Sequence, residues 1–464
     1  QIILRKAVTV LFKSLFIFSI FTFNFYIMKL TLKFLLSLLS LIGTLIVDFC
    51  NVLFDAIQRK RGFESAFGYE SDIGGFFNKG FVISTNRKLS RKKSFQNVMV
   101  AGPTGSGKTQ RLLLKDLFSL KNCSVILNDP SRELFEYASG YLQQFFTIKT
   151  LNFGNSSQSS GYNILSRIRK ASDVNKIAHI LVASTLDKNG RGDAFWSIQA
   201  KAVIAVFIRL VMYQRNECRN MANVLYILNT FAAKPETVDS WIVKTGDKKL
   251  LLEYKAMVAT PEKTLQNILA SAKAALQLFE DEEIAKVTSH DSIDFEALRQ
   301  KPTIIFLHNA ISDMKYINIL NGIFFEQMYG YILEKLPNKN ELDLFIILEE
   351  CSSLYIPMLP TAISNTRKHR VGNLLCVQSP SQLTTFYQDD AVNIAGNCLT
   401  KIFLPGITSM ETLRDLEPYG GKSIHIDENG TARIKPLITI DEIRLLPEDR
   451  TLILSSNNPL IKGR

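Results

Sequence analysis

Residues 97–109 read Asn97-Val-Met-Val-Ala-Gly-Pro-Thr-Gly-Ser-Gly-Lys-Thr109, and more of the fold follows from this stretch than from any other. An apolar run of strand character leads into a loop of the pattern Gly-x-x-x-x-Gly-Lys-[Ser/Thr], and a helical pattern follows. The glycines let successive backbone N–H groups face phosphate oxygens, and the helix N-terminus adds positive partial charge. The stretch predicts a phosphate-binding loop; the competing interpretation is a glycine-rich turn with a solvated lysine.

The residues of this loop have separate expected roles. Lys108 can reach the β- and γ-phosphates of a nucleoside triphosphate, and the Thr109 hydroxyl can bind Mg²⁺. The rest of the loop is expected to surround the phosphates with backbone; it consists of Gly102, Pro103, Thr104, Gly105, Ser106 and Gly107.

A second motif places two acidic residues directly after an apolar run. Residues 342–350 read Leu-Asp-Leu-Phe-Ile-Ile-Leu-Glu-Glu. Open α/β sheets bind ligands at the carboxyl ends of their strands, so the pair is expected at that edge. We assign Glu349 to Mg²⁺ through water and Glu350 to activation of the attacking water. Asp is usual at the first position, so the extra methylene of Glu349 leaves the metal geometry open. Without the loop, a solvated strand end would be the preferred interpretation.

Further candidate functional residues lie next to the ends of the predicted strands. The strand Asn373–Val377 ends at Gln378, whose amide can sense the γ-phosphate; an ordinary strand-terminal glutamine fits equally well. Arg367 and Arg370 precede that strand, and one of them can act as an arginine finger on a neighbouring subunit. A plain surface cluster explains them equally. Asp129 is another carboxylate at a strand end, and the sequence assigns it no role.

After residue 94, eight short apolar runs alternate with helical patterns, which predicts a doubly wound α/β architecture. The runs are near-continuous, as in strands buried on both faces of a parallel sheet. They are Val98–Ala101, Ser124–Asn128, Phe146–Leu151, Thr303–Leu307, Leu344–Leu348, Asn373–Val377, Lys401–Leu404 and Thr451–Leu454. Helical periodicity without strands predicts an all-helical domain over 171–290. Residues 94–170 and 291–464 are expected to form the nucleotide-binding domain.

The first fifty residues are far more apolar than the rest. Ser14–Met28 and Phe34–Val47 carry no charge, and apolar character resumes as far as Phe54. Each run is near the short end of the roughly 17–25 residues that span a bilayer. Basic residues flank both outer ends, which places both in the cytoplasm. We expect an anchor of two transmembrane helices over 1–56 and a juxtamembrane linker over 57–93. A signal peptide or a buried apolar hairpin are the alternatives, and no small-residue cleavage site follows the first run.

Composition narrows the class of protein without naming a partner. Of 464 residues, 46% are apolar and 21% charged, which excludes wholesale disorder. The net charge of +12 favours a negatively charged binding partner, such as nucleic acid, anionic lipid or nucleotide. The basic cluster within 87–93 fits a solvated loop, a DNA contact or lipid headgroups. The cysteines form no C-x-x-C pair and the histidines lack metal-ligand spacing, so a zinc ribbon or disulfide scaffold is disfavoured.

Taken together, the ordered motifs resemble the TraG/TraD-like type IV coupling proteins, the ATPases of conjugation and type IV secretion. The phosphate loop alone is not specific to this family; the ordered set is. The departures are Glu349 for the usual Asp, and Ser131-Arg132 where a Lys-Gly or Ser-Gly pair is common. The likeness rests on residues 98–109, 125–133, 160–163, 193–196, 345–350 with 356–357, 364–370 with 377–383, and 436–447.

The resemblance implies a RecA-like P-loop NTPase domain that uses ATP and Mg²⁺. It also implies a homo-hexamer anchored in the bacterial inner membrane as a multi-pass protein, with the motor in the cytoplasm. The all-helical domain would receive cargo for a type IV secretion channel. That cargo would be DNA, single-stranded or as a DNA–relaxase complex, or a secreted protein.

Two other functions stay open at this point. An FtsK/HerA-like DNA translocase outside any secretion system uses similar motifs, but the helical insertion and the motif order favour the coupling family. A nucleotide-binding adaptor that recruits cargo without hydrolysis is the other possibility, because Glu349-Glu350 departs from the usual acidic pair.

Overall fold

The computed structural model of the chain describes residues 65–186, 194–308, 314–426 and 432–464, together with Gly43 and Val47. The expected membrane hairpin over 1–56 therefore lies outside the described residues, apart from these two positions. The strands are β1 (Val98–Ala101), β2 (Cys123–Asn128), β3 (Thr147–Leu151), β4 (Thr303–Leu307), β5 (Asp343–Leu348), β6 (Val371–Val377), β7 (Thr400–Phe403), β8 (Lys422–Ile426), β9 (Ala432–Pro436), β10 (Thr451–Ser455) and β11 (Ile461–Gly463).

The described helices alternate with the strands along the chain, and a long run of helices comes between β3 and β4. They are α1 (Glu70–Ile73), α2 (Arg91–Ser94), α3 (Leu114–Ser119), α4 (Glu133–Leu142), α5 (Ala171–Leu186), α6 (Ala194–Met212), α7 (Met221–Ala233), α8 (Pro235–Thr245), α9 (Lys248–Val258), α10 (Glu262–Leu276), α11 (Glu282–Ser289), α12 (Ala297–Gln300), α13 (Met314–Glu334), α14 (Leu359–Asn365), α15 (Thr384–Tyr387), α16 (Asp390–Gly396), α17 (Met410–Gly420) and α18 (Ile440–Arg444).

One large sheet organises the fold, in the order β11-β10-β7-β1-β6-β5-β2-β4-β3. Strands β7 to β3 of this order pair in parallel, so their carboxyl ends share one edge. Strand β6 separates β1 from β5. The phosphate loop and the acidic pair therefore end two strands apart at the same edge.

The sheet is mixed, whereas the sequence predicted a parallel one. Strand β10, expected as Thr451–Leu454, pairs antiparallel with β7, and β11 pairs antiparallel with β10. Strand β3 is an edge strand in which only Leu151 is buried, so the expectation of burial on both faces is wrong for it. An apolar run indicates that a strand is buried, but it does not indicate whether the strand pairs in parallel or antiparallel with its neighbours.

Three strands were not predicted, because each lacks a continuous apolar run. Strands β8 and β9 form a separate two-stranded sheet in which apolar and polar residues alternate. Strand β11 has only three residues. Alternation of this kind is typical of strands with one solvated face.

Two apolar cores fill the two faces of the sheet. Successive residues of β1 alternate between them: Met99 packs into the larger core, and Val98 and Val100 pack into the smaller one. Helices α3 and α4 and the segment before β1 cover the smaller core. The larger core continues into the helices of residues 171–289, among whose described residues no strand occurs.

One described helix, Ala194–Met212, is long and apolar enough to cross a membrane by length and composition. Of its apolar window, 56% is buried inside the protein. Its fully buried side chains include Ile204, Phe207 and Leu210, which belong to the larger core. The helix thus packs as an interior element of the helical segment.

Candidate active site

The loop after β1 has the geometry that its glycines predict. Gly105 and Gly107 have φ of +80° and +88°, a region that side chains other than glycine's rarely adopt. A Cβ on Gly102 would lie 2.7 Å from Ser106 Oγ and 2.9 Å from Leu404 Cβ. Gly107 caps a helical segment that begins with a π-helical turn, Lys108–Leu113, and continues as α3. Such turns are frequent at functional sites.

Lys108 is held at the mouth of the loop by the loop itself. Its Nζ donates to Gly102 O at 2.6 Å and to Pro103 O at 3.0 Å. Burial lowers the pKa of the Lys108 amine, and the electrostatic influence of the neighbouring acidic groups of Cys376, Glu350 and Glu349 counteracts that lowering. The ammonium can exchange these carbonyl contacts for contacts with the charged phosphate oxygens of a ligand without leaving the loop.

Thr109 and Glu349 meet although 240 positions separate them. The Thr109 hydroxyl donates to Glu349 Oε1 at 2.8 Å. The other carboxylate oxygen, Oε2, is buried without a hydrogen-bond partner, and so is Ser106 Oγ. Buried polar atoms without partners are rare because each costs free energy. Ser106 Oγ is thus left free for a ligand, while the Glu349 side chain faces the Asp129 carboxyl as well as the cleft.

Asp129 lies beside Glu349, where the sequence assigned it no role. It is fully buried, and its carboxylate accepts from Leu134 N at 3.3 Å and Phe135 N at 2.8 Å, at the start of α4. Burial raises the pKa of both carboxyl groups, and for Glu349 the charge of Asp129 raises it further. Two neighbouring carboxylates at a buried edge favour a bound cation or a retained proton.

One cleft of about 440 Å³ at the carboxyl edge brings most of the predicted residues together. We call it the edge cleft. It is lined by Thr104, Gly105, Gly107, Lys108, Thr109, Glu349, Glu350 and Gln378, together with Gln110, Pro130, Ser131, Glu133, Ser352, Cys376 and Val377. Gln378 is exposed there, and its backbone N–H donates to the Gln382 side chain at 3.0 Å.

Neither predicted finger arginine lies in the edge cleft. Both precede β6, at the opposite, amino edge of the sheet. Arg370 binds the Asp343 carboxylate at 2.6 Å and also donates to Asn338 O and Glu341 O. Its guanidinium is thus occupied within its own chain in this structure. Arg367 is exposed.

The sequence also missed what Arg132 does. This residue has φ of +63° at the start of α4, a conformation that favours glycine. Arg132 stands where the family that the sequence resembles commonly has a glycine. The arginine therefore holds a backbone conformation that is strained for any residue with a side chain. Its side chain donates to Gln158 Oε1 at 2.5 Å and lies over the Phe135 ring.

The donor set at the edge cleft suits Mg²⁺. Thr109 and Glu349 present a hydroxyl and a carboxylate, the hard oxygen ligands that Mg²⁺ prefers. Within the described ranges, no three His, Cys, Asp or Glu side chains converge into a metal-binding group, at the edge cleft or away from it. A magnesium ion held by one or two protein oxygens takes its remaining ligands from water and phosphate.

Comparison with known proteins gives concordant matches over the same region. The family model "Type IV secretory system Conjugative DNA transfer" matches residues 72–464. Protein VirD4 of Rhizobium radiobacter is 23% identical over 239 residues, which is 47% of this chain and 32% of VirD4. The conjugal transfer protein TraG of Escherichia coli is 23% identical over 399 residues, which is 78% of this chain and 59% of TraG. The chain thus spans about a third of the length of VirD4 and 59% of that of TraG.

Among solved structures, the plasmid coupling protein TrwB in complex with ADP and Mg²⁺ superimposes with a TM-score of 0.68. The identity is 16%, and the match covers 87% of this chain and 93% of TrwB. At this identity the likeness concerns the fold. It agrees with a RecA-like NTPase fold built on a mixed α/β sheet.

Proposed function

Because the chain belongs to the type IV secretory system conjugative DNA transfer family, the type IV coupling proteins, we propose that it is a membrane-anchored ATPase that drives cargo into a secretion channel. The observation that supports this best is the edge cleft, which gathers Lys108, Glu349, Glu350 and Gln378 from three different strand ends.

In this proposal each side chain acts on ATP from its observed position. Lys108 leaves the carbonyls of Gly102 and Pro103 and binds the β- and γ-phosphates. Glu350 accepts a proton from the attacking water. Gln378 contacts the γ-phosphate, so that release of this phosphate after hydrolysis changes the position of Gln378 and of β6. Mg²⁺, when bound by Thr109 and Glu349, neutralises phosphate charge.

The larger assembly belongs to the same proposal. Residues 1–56 form a membrane hairpin in the bacterial inner membrane, and 57–93 link it to the motor. The motor comprises 94–170 and 291–464, and the helical domain 171–290 receives cargo. Six copies form a ring in which Arg367 of one subunit approaches the neighbouring nucleotide. The cargo is DNA, alone or with a relaxase, or a secreted protein, and the receiving partner is the type IV secretion channel.

The rate of ATP turnover tests the enzymatic core of this proposal. We expect measurable turnover by the full chain in detergent, raised by single-stranded DNA, and at least a 100-fold loss in Lys108→Ala. Lys115→Ala, on the following helix but outside the cleft lining, is the matched control and retains turnover. Equal background rates for wild type and Lys108→Ala, with and without DNA, would instead describe a nucleotide-binding adaptor.

A further inference from the structure

A tight turn before β1 presents two phenylalanines to water. We call residues Gly75–Asn78 the aromatic turn. Phe76 and Phe77 occupy its centre, and they are 47% and 76% exposed. Their rings meet edge to face, with centroids 5.2 Å apart. Adjacent apolar residues of the same segment, Ile73 and Phe81, are buried. The two exposed rings therefore form one apolar projection above a packed base.

The aromatic turn is held firmly by its backbone. Gly75 N donates to Lys88 O at 2.9 Å, Lys88 N donates to Gly75 O at 3.2 Å, and the Asn78 side chain donates to Lys88 O at 2.9 Å. Gly80 N donates to Leu89 O at 2.9 Å just beyond it. A Cβ on Gly80 would lie 2.1 Å from Ser94 Oγ, so the segment has little freedom to rearrange. Fixed presentation lowers the entropic cost of binding.

The sequence that contains the aromatic turn is basic, directly after the acidic residues Glu70 and Asp72 of α1. Residues 74–93 contain six Lys or Arg residues and no Asp or Glu. Lys79 is exposed next to the turn, and Lys88 is its backbone partner. An apolar projection with a cationic rim matches the interface of an anionic bilayer, where aromatic rings lie at headgroup depth and lysines meet phosphate.

We propose that the aromatic turn inserts into the headgroup region of a bilayer of anionic phospholipid, with Lys79 and Lys88 against the lipid phosphates. The inference rests on the proposed membrane anchoring. Only ten residues of sequence separate Phe54, the end of the second apolar run, from Ser65. The aromatic turn begins only 21 positions after Phe54, and this short tether to the apolar runs favours lipid over nucleic acid as its partner.

Depth-dependent fluorescence quenching tests the insertion in the full chain. Phe77→Trp is reconstituted into vesicles of phosphatidylglycerol and phosphatidylcholine that contain brominated lipid. The chain has two native tryptophans, so the signal is the difference from unmodified protein. Leu252→Trp, at a 68% exposed position on α9, is the matched control. We expect roughly twofold quenching of the added fluorescence in Phe77→Trp and none in the control. Equal quenching in the two variants would overturn the inference.

Substitution of the two lysines and variation of the vesicle lipids test the electrostatic part of the inference. Adding Lys79→Gln and Lys88→Gln to Phe77→Trp should reduce the quenching in anionic vesicles to the level seen in phosphatidylcholine alone. Quenching by a single-stranded oligonucleotide but not by lipid would assign the aromatic turn to nucleic acid. A spectral shift that depends on protein concentration without vesicles would assign it to contact between copies. Either result overturns the inference.

The same vesicles separate this inference from the proposed anchor. An alkaline carbonate wash retains a protein with transmembrane helices, whatever the aromatic turn does. Protein that is retained but shows no quenching in Phe77→Trp contradicts the inference and leaves the anchor intact. Protein that is released by the wash, after showing quenching, supports the inference and contradicts the anchor.

Discussion

Arg132 shows how a single residue can depart from a family pattern at a measurable cost. It holds φ of +63° without being glycine, directly after the edge-cleft residues Pro130 and Ser131. Its contacts with Gln158 and with the Phe135 ring partly offset the backbone strain. Strain at such a position persists only where surrounding structure fixes it.

A pair of substitutions at Arg132 isolates the free energy cost of the positive φ from the contribution of the side-chain contacts. Arg132→Gly and Arg132→Ala both lose the side-chain contacts, but only alanine retains the unfavourable φ. We expect the glycine variant to be more stable than the alanine variant by about 1 kcal/mol. Urea denaturation of both variants in the same detergent measures the difference. Equal stabilities would mean that this loop relaxes to an ordinary φ.

At single positions, the sequence predicted where residues lie when their placement depends on local pattern. The loop residues and the pair Glu349-Glu350 fall where their motifs place them, at the ends of β1 and β5. The sequence could not assign Asp129, because its significance comes from Glu349, 220 positions away. Nor could it reveal that Arg370 is already bound to Asp343. Such pairings depend on tertiary structure and leave no periodic signal.

Among the elements, α3 carries a buried carboxylate that makes stability depend on pH. Asp116 is fully buried; its Oδ1 accepts from Val82 N at 2.6 Å, and its Oδ2 has no hydrogen-bond partner. Burial raises the pKa of Asp116 well above its ordinary value. The folded chain therefore binds this proton more tightly than the unfolded chain. The resulting stabilisation is full below about pH 4 and is lost as pH rises through the folded pKa.

Asp116→Asn should remove this dependence while keeping the acceptor for Val82. We expect the variant to be more stable than wild type by about 1–3 kcal/mol at pH 8, with the difference shrinking toward pH 4. Urea denaturation at several pH values measures it. Asp389→Asn, at an exposed position, serves as the control and should show no such trend. A variant less stable than wild type at every pH would contradict the assignment.

The elements that the sequence predicted well are those with continuous apolar runs or long helical periodicity. The run Asn373–Val377 lies within β6, and the described residues of 171–289, where helical periodicity is continuous, form helices and no strand. Nothing in the sequence indicates that Asn373 is buried and bound to Asn97, Thr366 and Tyr329. These contacts join β6 to the residue before β1 and to α13. A polar residue inside an apolar run is informative only once its partners are known.

For the molecule as a whole, the charge surplus predicts how DNA would bind. If phosphate contacts dominate, affinity for single-stranded DNA should depend little on sequence and fall steeply with salt. With about five contacts, raising salt from 50 to 200 mM should weaken binding roughly 100-fold. Fluorescence anisotropy with two unrelated oligonucleotides measures both properties. Affinity that is unchanged across this range would reject an electrostatic mode.

The whole account depends on Lys108 and Glu350 serving the same nucleotide, since both line the edge cleft. The most direct test follows binding of a fluorescent ATP analogue and ATP turnover on one preparation of Glu350→Gln. We predict affinity close to that of wild type, because Glu350 contacts water rather than phosphate, and turnover lowered by roughly 10²–10⁴-fold. Turnover at the wild-type rate in Glu350→Gln, with binding intact, would contradict the account.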